Sequence, residues 1–430
     1  MNPVTILFVV FFVLLAIGVP IGVSIAVTCV LSTIVDPPMM TTATYCVRNF
    51  ISAIDVQSML AVPLFIISGV LMAKGGISKR LFDFFAYFLG MLPAGLPITV
   101  IVTCLFYGAI SGSSPATVAA VGAMCIPILT NLGYSLEFTT ALVTTAGGLG
   151  VIIPPSIPFI MYGLATGESV GDLFIAGVLP GCLIALALIA YAVYYCKTHG
   201  EDREKLRENT ERLRAKGLGG ILRDSIFALL TPVIILGGIY SGIVTPTEAA
   251  GISVVYAILV SMVIYRTVTF KDLFAIYAEA VGTVAPIMAV VAFATVFGRV
   301  LTFSNVPQAV AQMISSSFAS KVLLLLALNL FLLIVGALMD TTPAILILAP
   351  IFINAVTAFG VSGIHFGVIM IVNLAIGFVT PPIGLNLYVA SSMTKLPVPT
   401  IAKHAIPFII AFIIALLVIT FVPAISLALI

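Results

Sequence analysis

The sequence predicts an all-α, polytopic membrane protein made of two inverted-topology repeats, each with a re-entrant helical hairpin and a broken transmembrane helix. Three observations lead there. Hydrophobic residues make up 61% of the chain and charged residues only 8%, against about 25% charged in soluble proteins; the mean hydropathy is +1.28. Prolines recur in register along two halves. One long polar stretch, "CKTHGEDREKLRENTERLRAKGLGGILRDS" from Cys196 to Ser225, separates those halves.

Several apolar runs reach the roughly 20 residues needed to cross a bilayer. The start, "MNPVTILFVVFF", has no basic lead and no small-residue cleavage site, so it reads as a retained helix. The six cysteines are scattered through apolar segments without CxxC spacing, which argues against disulfide or metal roles. The net charge of +2 points to no particular partner, and no nucleic acid is expected.

The internal repeat rests on proline spacing. Pro20 pairs with Pro246, Pro63 with Pro286, Pro115 with Pro343, Pro155 with Pro382 and Pro180 with Pro407, at offsets of 226, 223, 228, 227 and 227. Unrelated prolines would not hold such a register, so two structural repeats follow, 1–199 and 225–430, joined by a linker at 200–224.

Charge and length then order the elements. Residues 4–34 form a pair bent at Pro20, either two short helices or one long bent helix. Residues 46–73 cross inward to Lys74, Lys79 and Arg80. Residues 80–92, with polar Lys79, Arg80 and Asp83 opposite an aromatic side, suit an interfacial helix or an ordinary connector. The arms 97–110 and 116–130 run about 15 residues, or ~22 Å, short of a ~30 Å crossing, and fit a re-entrant hairpin over 97–130. A broken helix at 137–163 leads outward, and 172–196 returns to the linker. Five crossings is an odd number, so the second repeat is inverted. There, the pair 226–266, the crossing 271–300, the hairpin 321–358, the broken helix 363–391 and the final helix 404–430 follow in the same order. Eight of the 18 basic residues lie in the stretch 197–224, which is therefore cytoplasmic, with both termini periplasmic.

The breaks are the chemical signal. Non-helical backbone at membrane depth is tolerated only inside protein or beside a water-filled cavity. Inverted repeats with interrupted helices mark secondary transporters. The first pair of breaks is the tip "SGSSP" (Ser111–Pro115) with "GGLGVIIPPS" (Gly147–Ser156); the second is "MDTTP" (Met339–Pro343) with "IGFVTPP" (Ile376–Pro382). Hydroxyls and freed carbonyls are hard oxygen donors suited to Na⁺, and helix C-terminal ends carry partial negative charge. Candidate ligands are Ser113, Ser114, Gly148 and Val151 around one Na⁺, and Met339, Asp340, Thr341, Thr342, Gly377 and Thr380 around its counterpart. At least two Na⁺ sites and no transition metal are expected. New helices begin beyond the tips and breaks, and their N–H groups favour an anion. Pro115, Pro155, Ser156, Pro343 and Pro382 are therefore substrate-side candidates. The competing account is a set of plain proline kinks whose Ser and Thr bond their own helices.

Intramembrane charged and polar side chains single out three residues. Asp340 either ligates Na⁺, carries a coupled proton, or closes its turn through an Asx-type bond. Arg48 is a candidate for pairing with a substrate carboxylate, or forms an exposed pair with Asp55. Asn386, after the second double proline, either bonds substrate or serves packing.

At "GAISGSSPATVAAVGAMCIPIL", "GGLGVIIPPSIPFIMYG" and "FVTPPIGLNLYV" the chain resembles the large membrane subunit of tripartite ATP-independent periplasmic (TRAP) transporters, a likeness that covers essentially its whole length. The resemblance implies Na⁺-coupled uptake of an organic acid across a bacterial inner membrane, by an elevator-type carrier. It also implies two companions, a small four-helix membrane subunit and a periplasmic substrate-binding protein. Because the chain begins at "MNPVTILF", the small subunit is expected as a separate partner. The general look leans toward the sialic-acid branch, with C4-dicarboxylates next.

Other readings are weaker. An enzyme is disfavoured: the three histidines have no metal-ligand spacing, and no HExxH or GxxxxGK[ST] motif is present. A channel would be expected to show pore-lining rings. A standalone Na⁺/carboxylate symporter of the same architecture remains open.

Overall fold

The computed structural model describes residues 3–35, 43–318 and 320–430, and every regular element among them is helical. The first set comprises α1 (Pro3–Ala16), α2 (Ile21–Val35), α3 (Ala43–Ile54), α4 (Ala61–Lys74), α5 (Ile77–Leu89), α6 (Gly95–Ser111), α7 (Ser114–Asn131), α8 (Leu136–Ala146), α9 (Ile157–Thr166) and α10 (Val170–His199). A polar helix, α11 (Arg203–Arg214), follows. The second set comprises α12 (Gly217–Tyr240), α13 (Pro246–Ile258), α14 (Phe270–Phe303), α15 (Val306–Ser317), α16 (Lys321–Leu338), α17 (Thr341–Ala358), α18 (Gly363–Gly377), α19 (Leu385–Thr394) and α20 (Val398–Phe421). Among the described residues, nine helices are long and apolar enough to cross a membrane.

The sets share one order: a helix pair, a crossing, an arm, a hairpin, a broken helix and a closing helix. Their packing partners are exchanged. α4 packs on α13 as α14 packs on α2, α7 on α19 as α17 on α9, and α6 on α8 as α16 on α18, while α10 and α20 pack on each other.

Local chemistry explains the boundaries. Pro20 and Pro246 each follow a turn, so each bend separates two helices rather than kinking one. Ser135, Ser156 and Ser169 cap α8, α9 and α10 by accepting from the N–H groups of Phe138, Phe159 and Asp172. Thr245 and Glu248 form a capping box at α13.

Three expectations differ in detail. The crossing expected over 46–73 is divided: α3 stops at Ile54, Val56 is extended (φ −119°), and a 3₁₀ turn at Gln57–Leu60 leads into α4. Its counterpart α14 is continuous over 34 residues. α3 is amphipathic, burying Cys46, Asn49 and Ala53 and exposing Arg48 and Ile51, as a helix lying along an interface does. The hairpin arms are 17 and 18 residues in the first set and 18 each in the second, longer than expected. Pro97 and Pro115 lie in the first turns of their helices, where no intrahelical N–H bond is lost. Finally, α12 begins at Gly217 (φ +69°) inside the expected linker, and its Ser225 hydroxyl donates to the Arg80 carbonyl at 2.9 Å, seating it on α5.

The polar segment also clamps the first hairpin. The Glu201 carboxylate accepts from the Ala94 N–H at 3.0 Å and from the Tyr134 hydroxyl. Burial first, and the Glu201 hydrogen bond second, push the Tyr134 phenol above its ordinary range. Glu201→Ala strands both donors at the base of α6 and α7. We expect a loss of about 1–3 kcal/mol in local stability, read as faster amide exchange around 90–95. Unchanged exchange there would show the clamp to be idle.

Candidate functional site

The first hairpin turns among buried residues, at Ser111 and Gly112, whereas the second turns where Leu338 and Asp340 are exposed. In the first, Gly112 (φ +61°) closes α6 by donating from its N–H to the Gly108 carbonyl at 3.0 Å, and Ser113 is extended before α7. A side chain at 112 is excluded twice: the conformation favours glycine, and a Cβ would lie 2.8 Å from the Pro155 carbonyl oxygen. In the second hairpin, Met339 and Asp340 are both extended (φ −151° and −65°), so an aspartate is accommodated where the first turn requires glycine. The Asp340 carboxylate lies against the Thr341 and Thr342 N–H groups at the start of α17.

Both broken helices pass beside these turns. After α8 the chain tightens into a 3₁₀ turn at Gly147–Val151. Ser156 bridges the gap, its hydroxyl donating to the Val151 carbonyl at 2.5 Å and accepting from the Phe159 N–H at 3.4 Å. After α18, the Thr380 hydroxyl donates back to the Ile376 carbonyl at 2.8 Å, and the Asn386 N–H donates to the Phe378 carbonyl at 3.0 Å. Each break holds a cis proline, Pro155 and Pro382.

Tip and break are joined in the same way in both sets. The Ile157 N–H donates to the Gly112 carbonyl at 3.3 Å, and the Ile383 N–H to the Ala337 carbonyl at 3.2 Å. The backbones also cross glycine on glycine. A Cβ on Gly108 would lie 2.7 Å from the Gly150 Cα, and one on Gly377 would lie 2.2 Å from the Gly336 carbonyl carbon.

A cavity of about 590 Å³ opens between the two tips and the helices α4 and α14. Four helix N-termini reach its wall: Ser113 and Pro115 of α7, Ile157 and Pro158 of α9, Asp340 through Thr342 of α17, and Leu385 of α19. Three C-terminal ends reach it too, at Gly112, Val151 and Phe378. Partial positive charge from N–H groups and partial negative charge from carbonyls therefore face one space.

Of the residues singled out from sequence, Ser113, Pro115, Val151, Asp340, Thr341 and Thr342 line the cavity. Ser114 is buried behind it, and its hydroxyl accepts from the Asn386 amide at 2.8 Å. The same amide donates to the Thr144 carbonyl at 3.0 Å, so Asn386 ties α19 to the first hairpin from a fully buried position. Gly148 is buried against Phe412, and Gly377 against Gly336. Pro155, Ser156 and Pro343 are buried outside the lining; Met339 and Thr380 are half-buried beside it, and Pro382 is exposed. Arg48 lies apart from the cavity, exposed on α3.

Sequence reasoning missed three lining groups. Tyr107, fully buried, donates from its hydroxyl to the Gly69 carbonyl at 3.3 Å. Lys74, at the end of α4, pairs with Glu279 of α14 at 3.2 Å. A glutamate nine residues into an apolar crossing was a readable sign of a functional wall, because charge there is costly.

Comparison with known proteins places this geometry. The model of the DctM component of tripartite ATP-independent periplasmic transporters matches residues 8–425. The isethionate TRAP transporter permease protein DctMQ of Oleidesulfovibrio alaskensis is 42% identical over 89% of this chain, which spans 59% of that relative's length. The C4-dicarboxylate TRAP transporter large permease protein DctM of Pseudomonas aeruginosa is 40% identical over 86% of each chain. The sialic acid TRAP transporter large permease protein SiaM of Vibrio cholerae is 33% identical over 90% of this chain and 89% of its own. The crystal structure of the Alcanivorax borkumensis YdaH transporter shares the fold, with a TM-score of 0.63 at 16% identity, covering 93% of this chain and 96% of that one. These relatives are named as transporters and permeases, not enzymes. With a family model matched nearly end to end, and close relatives covered over most of the chain, this protein belongs to the DctM component family of tripartite ATP-independent periplasmic transporters.

Proposed function

We propose that this chain is the permease of a Na⁺-coupled, binding-protein-dependent uptake system for a small organic acid. The observation that carries the reading is the convergence of four helix N-termini on one cavity. Peptide dipoles aimed at a shared space favour an anion over a neutral solute or a cation.

The need for sodium follows from charge. Among the described residues, the acidic and basic side chains lining the cavity are Lys74, Glu279 and Asp340, one base against two carboxyl groups. An entering anion meets a net negative set of side chains, which co-bound cations neutralise. Oxygen donors stand at both tips, and the Asn386 Oδ1 atom is buried beside Ser114 without a hydrogen-bond partner, a donor of the kind sodium takes. We place one Na⁺ near Ser113, Ser114 and Asn386, and another near Asp340, Thr341 and Thr342.

The exchanged packing, with an odd number of crossings per set, supports inverted repeats in a bacterial inner membrane, the basic linker inside and both termini outside. The hairpins and broken helices then form a transport unit that slides past α4 and α14 as an elevator. The partners are a small membrane subunit and a periplasmic binding protein. Two relatives at 40% identity or above carry the names isethionate and C4-dicarboxylate, so we favour an acid of that size over sialic acid.

Reconstitution into liposomes with both partners tests this. Uptake of labelled isethionate, succinate and sialic acid would be followed with and without an inward sodium gradient. We expect sodium-dependent uptake of one of the small acids, lost when the binding protein is omitted. Uptake that persists without the binding protein favours the standalone symporter. Flux indifferent to sodium favours the channel.

A further inference from the structure

We propose that Lys74 is the counter-ion of the transported anion at the mouth of the cavity, and that Glu279 occupies it when no anion is there. The inference rests on the reading of this cavity as an anion-transport site.

Among the described residues, Lys74 is the only cationic side chain in the cavity wall. It stands in the last turn of α4 and reaches across to Glu279 on α14, with an N–O separation of 3.2 Å. The two side chains are 53% and 54% exposed. An ion pair so open to water is weak, because solvent screens it and both side chains lose rotamer freedom in making it. A buried pair would resist exchange, since losing either partner leaves a charge stranded in low dielectric. This one is replaceable. A carboxylate or sulfonate presents the same acceptor oxygens as Glu279, so it takes over the Lys74 ammonium without a net loss of hydrogen bonds.

The position suits a hand-over. Deeper in the cavity the anion is held by N–H groups at the starts of α7, α9, α17 and α19. These favour negative charge but fall off within a turn of the helix end. Lys74 lies on a different element, so its ammonium extends the favourable field outward along the cavity wall. Glu279 then restores the pair once the anion departs, which keeps a free lysine from holding the product. The repeat register adds a parallel. Asp55 and Arg299 correspond to Glu279 and Lys74 at offsets of 224 and 225. Arg299, near the end of α14, and Asp55, between α3 and the 3₁₀ turn before α4, are both exposed, and the Arg299 guanidinium donates to the Asn49 side-chain oxygen.

The test uses the reconstituted complex and whichever of isethionate or succinate the unaltered protein takes up. Half-saturation would be measured by exchange from each face of the membrane, for the unaltered chain, K74R, K74Q, E279Q and K74Q/E279Q. The expected result is a rise of about tenfold or more for K74Q on the face to which the cavity opens, as befits loss of a charged hydrogen-bond donor. K74R stays within about threefold. E279Q shows an unchanged or lower half-saturation, and the double variant follows K74Q. A purely structural pair behaves otherwise: K74Q and E279Q are impaired alike, and the double variant recovers because neither charge is left alone. That pattern, or a K74Q variant with unaltered half-saturation, overturns the inference while leaving the transport reading intact. Absence of sodium-dependent uptake by the unaltered protein overturns the transport reading, and the inference falls with it.

Discussion

Gly377→Ala is expected to abolish uptake and to lower the melting temperature more than any other single glycine-to-alanine change in the second half. The Cβ would lie 2.2 Å from the Gly336 carbonyl carbon and 2.3 Å from its oxygen. Those atoms are backbone inside α16, so no rotamer change relieves the overlap. Either α16 or α18 must move, and overpacking of a tight interior already costs about 1–3 kcal/mol when side chains yield. The reciprocal change is milder: a Cβ on Gly336 meets the Cα atoms of Leu374 and Gly377 at 3.2 and 3.3 Å, a tight fit that small shifts absorb. Gly251, on α13, has nothing within 4 Å of its Cβ position. There alanine is expected to be neutral, or to stabilise by up to about 1 kcal/mol, because it is the better helix former. Thermal unfolding in detergent, paired with uptake in liposomes, reads the series as Gly377, then Gly336, then Gly251. A Gly377→Ala protein that melts and transports like the unaltered chain would mean that the two backbones do not cross as described.

Thr342→Leu and Ser114→Leu are each expected to reduce sodium-dependent uptake by about tenfold or more. Thr342 lies in the first turn of α17, lines the cavity, and is 5% exposed. Leucine there removes an oxygen donor and fills the space a hydrated cation would enter. Hard cations are held by oxygen, and carbonyls freed at a helix break supply only part of a coordination shell. Ser114 differs in its surroundings. Its hydroxyl accepts from Asn386, so leucine also removes one of the two acceptors of that buried amide. The control is Thr342→Ser, which keeps the hydroxyl and should keep the sodium dependence. Initial rates at several sodium concentrations distinguish a weakened ion site from a collapsed fold, since a weakened site recovers at high sodium. Normal rates and an unaltered sodium dependence in both leucine variants would remove these residues from the ion sites.

Much of the architecture was readable because proline and glycine act directly on backbone. Pro155 and Pro382 cannot continue a helix ladder, so breaks at both places were a local consequence of the residues themselves. The same holds for the bends at Pro20 and Pro246. What needed the structure were facts about approach and aim. The divided crossing at Asp55 was hidden because its counterpart in α14 is continuous, and repeat symmetry argued for copying one onto the other. The glycines of "GGLG" were legible as a break. That Gly150 lies against Gly108, across a helix crossing, depends on contacts between residues far apart in sequence. Asn386 was correctly marked as an unusual polar residue, but sequence gives no direction to a side chain, and it points into the protein toward Ser114. Arg48 attracted attention as a charge in an apolar run, yet it sits on the outward face of α3. Glu279 was legible as a carboxylate in an apolar crossing, but its pairing with Lys74 joins helices far apart in sequence.

The four helix starts around the cavity have a consequence for how such a protein diversifies. On the proposed function, their pull on an anion comes from peptide groups, which only a substitution to proline deletes and no physiological pH titrates. The side chains between them are thus free to change with the cargo, and alanine scanning of the wall would undercount what holds it. A lineage can retune its choice of acid by altering contour and one or two charges, while the attraction common to all acids is inherited with the main chain.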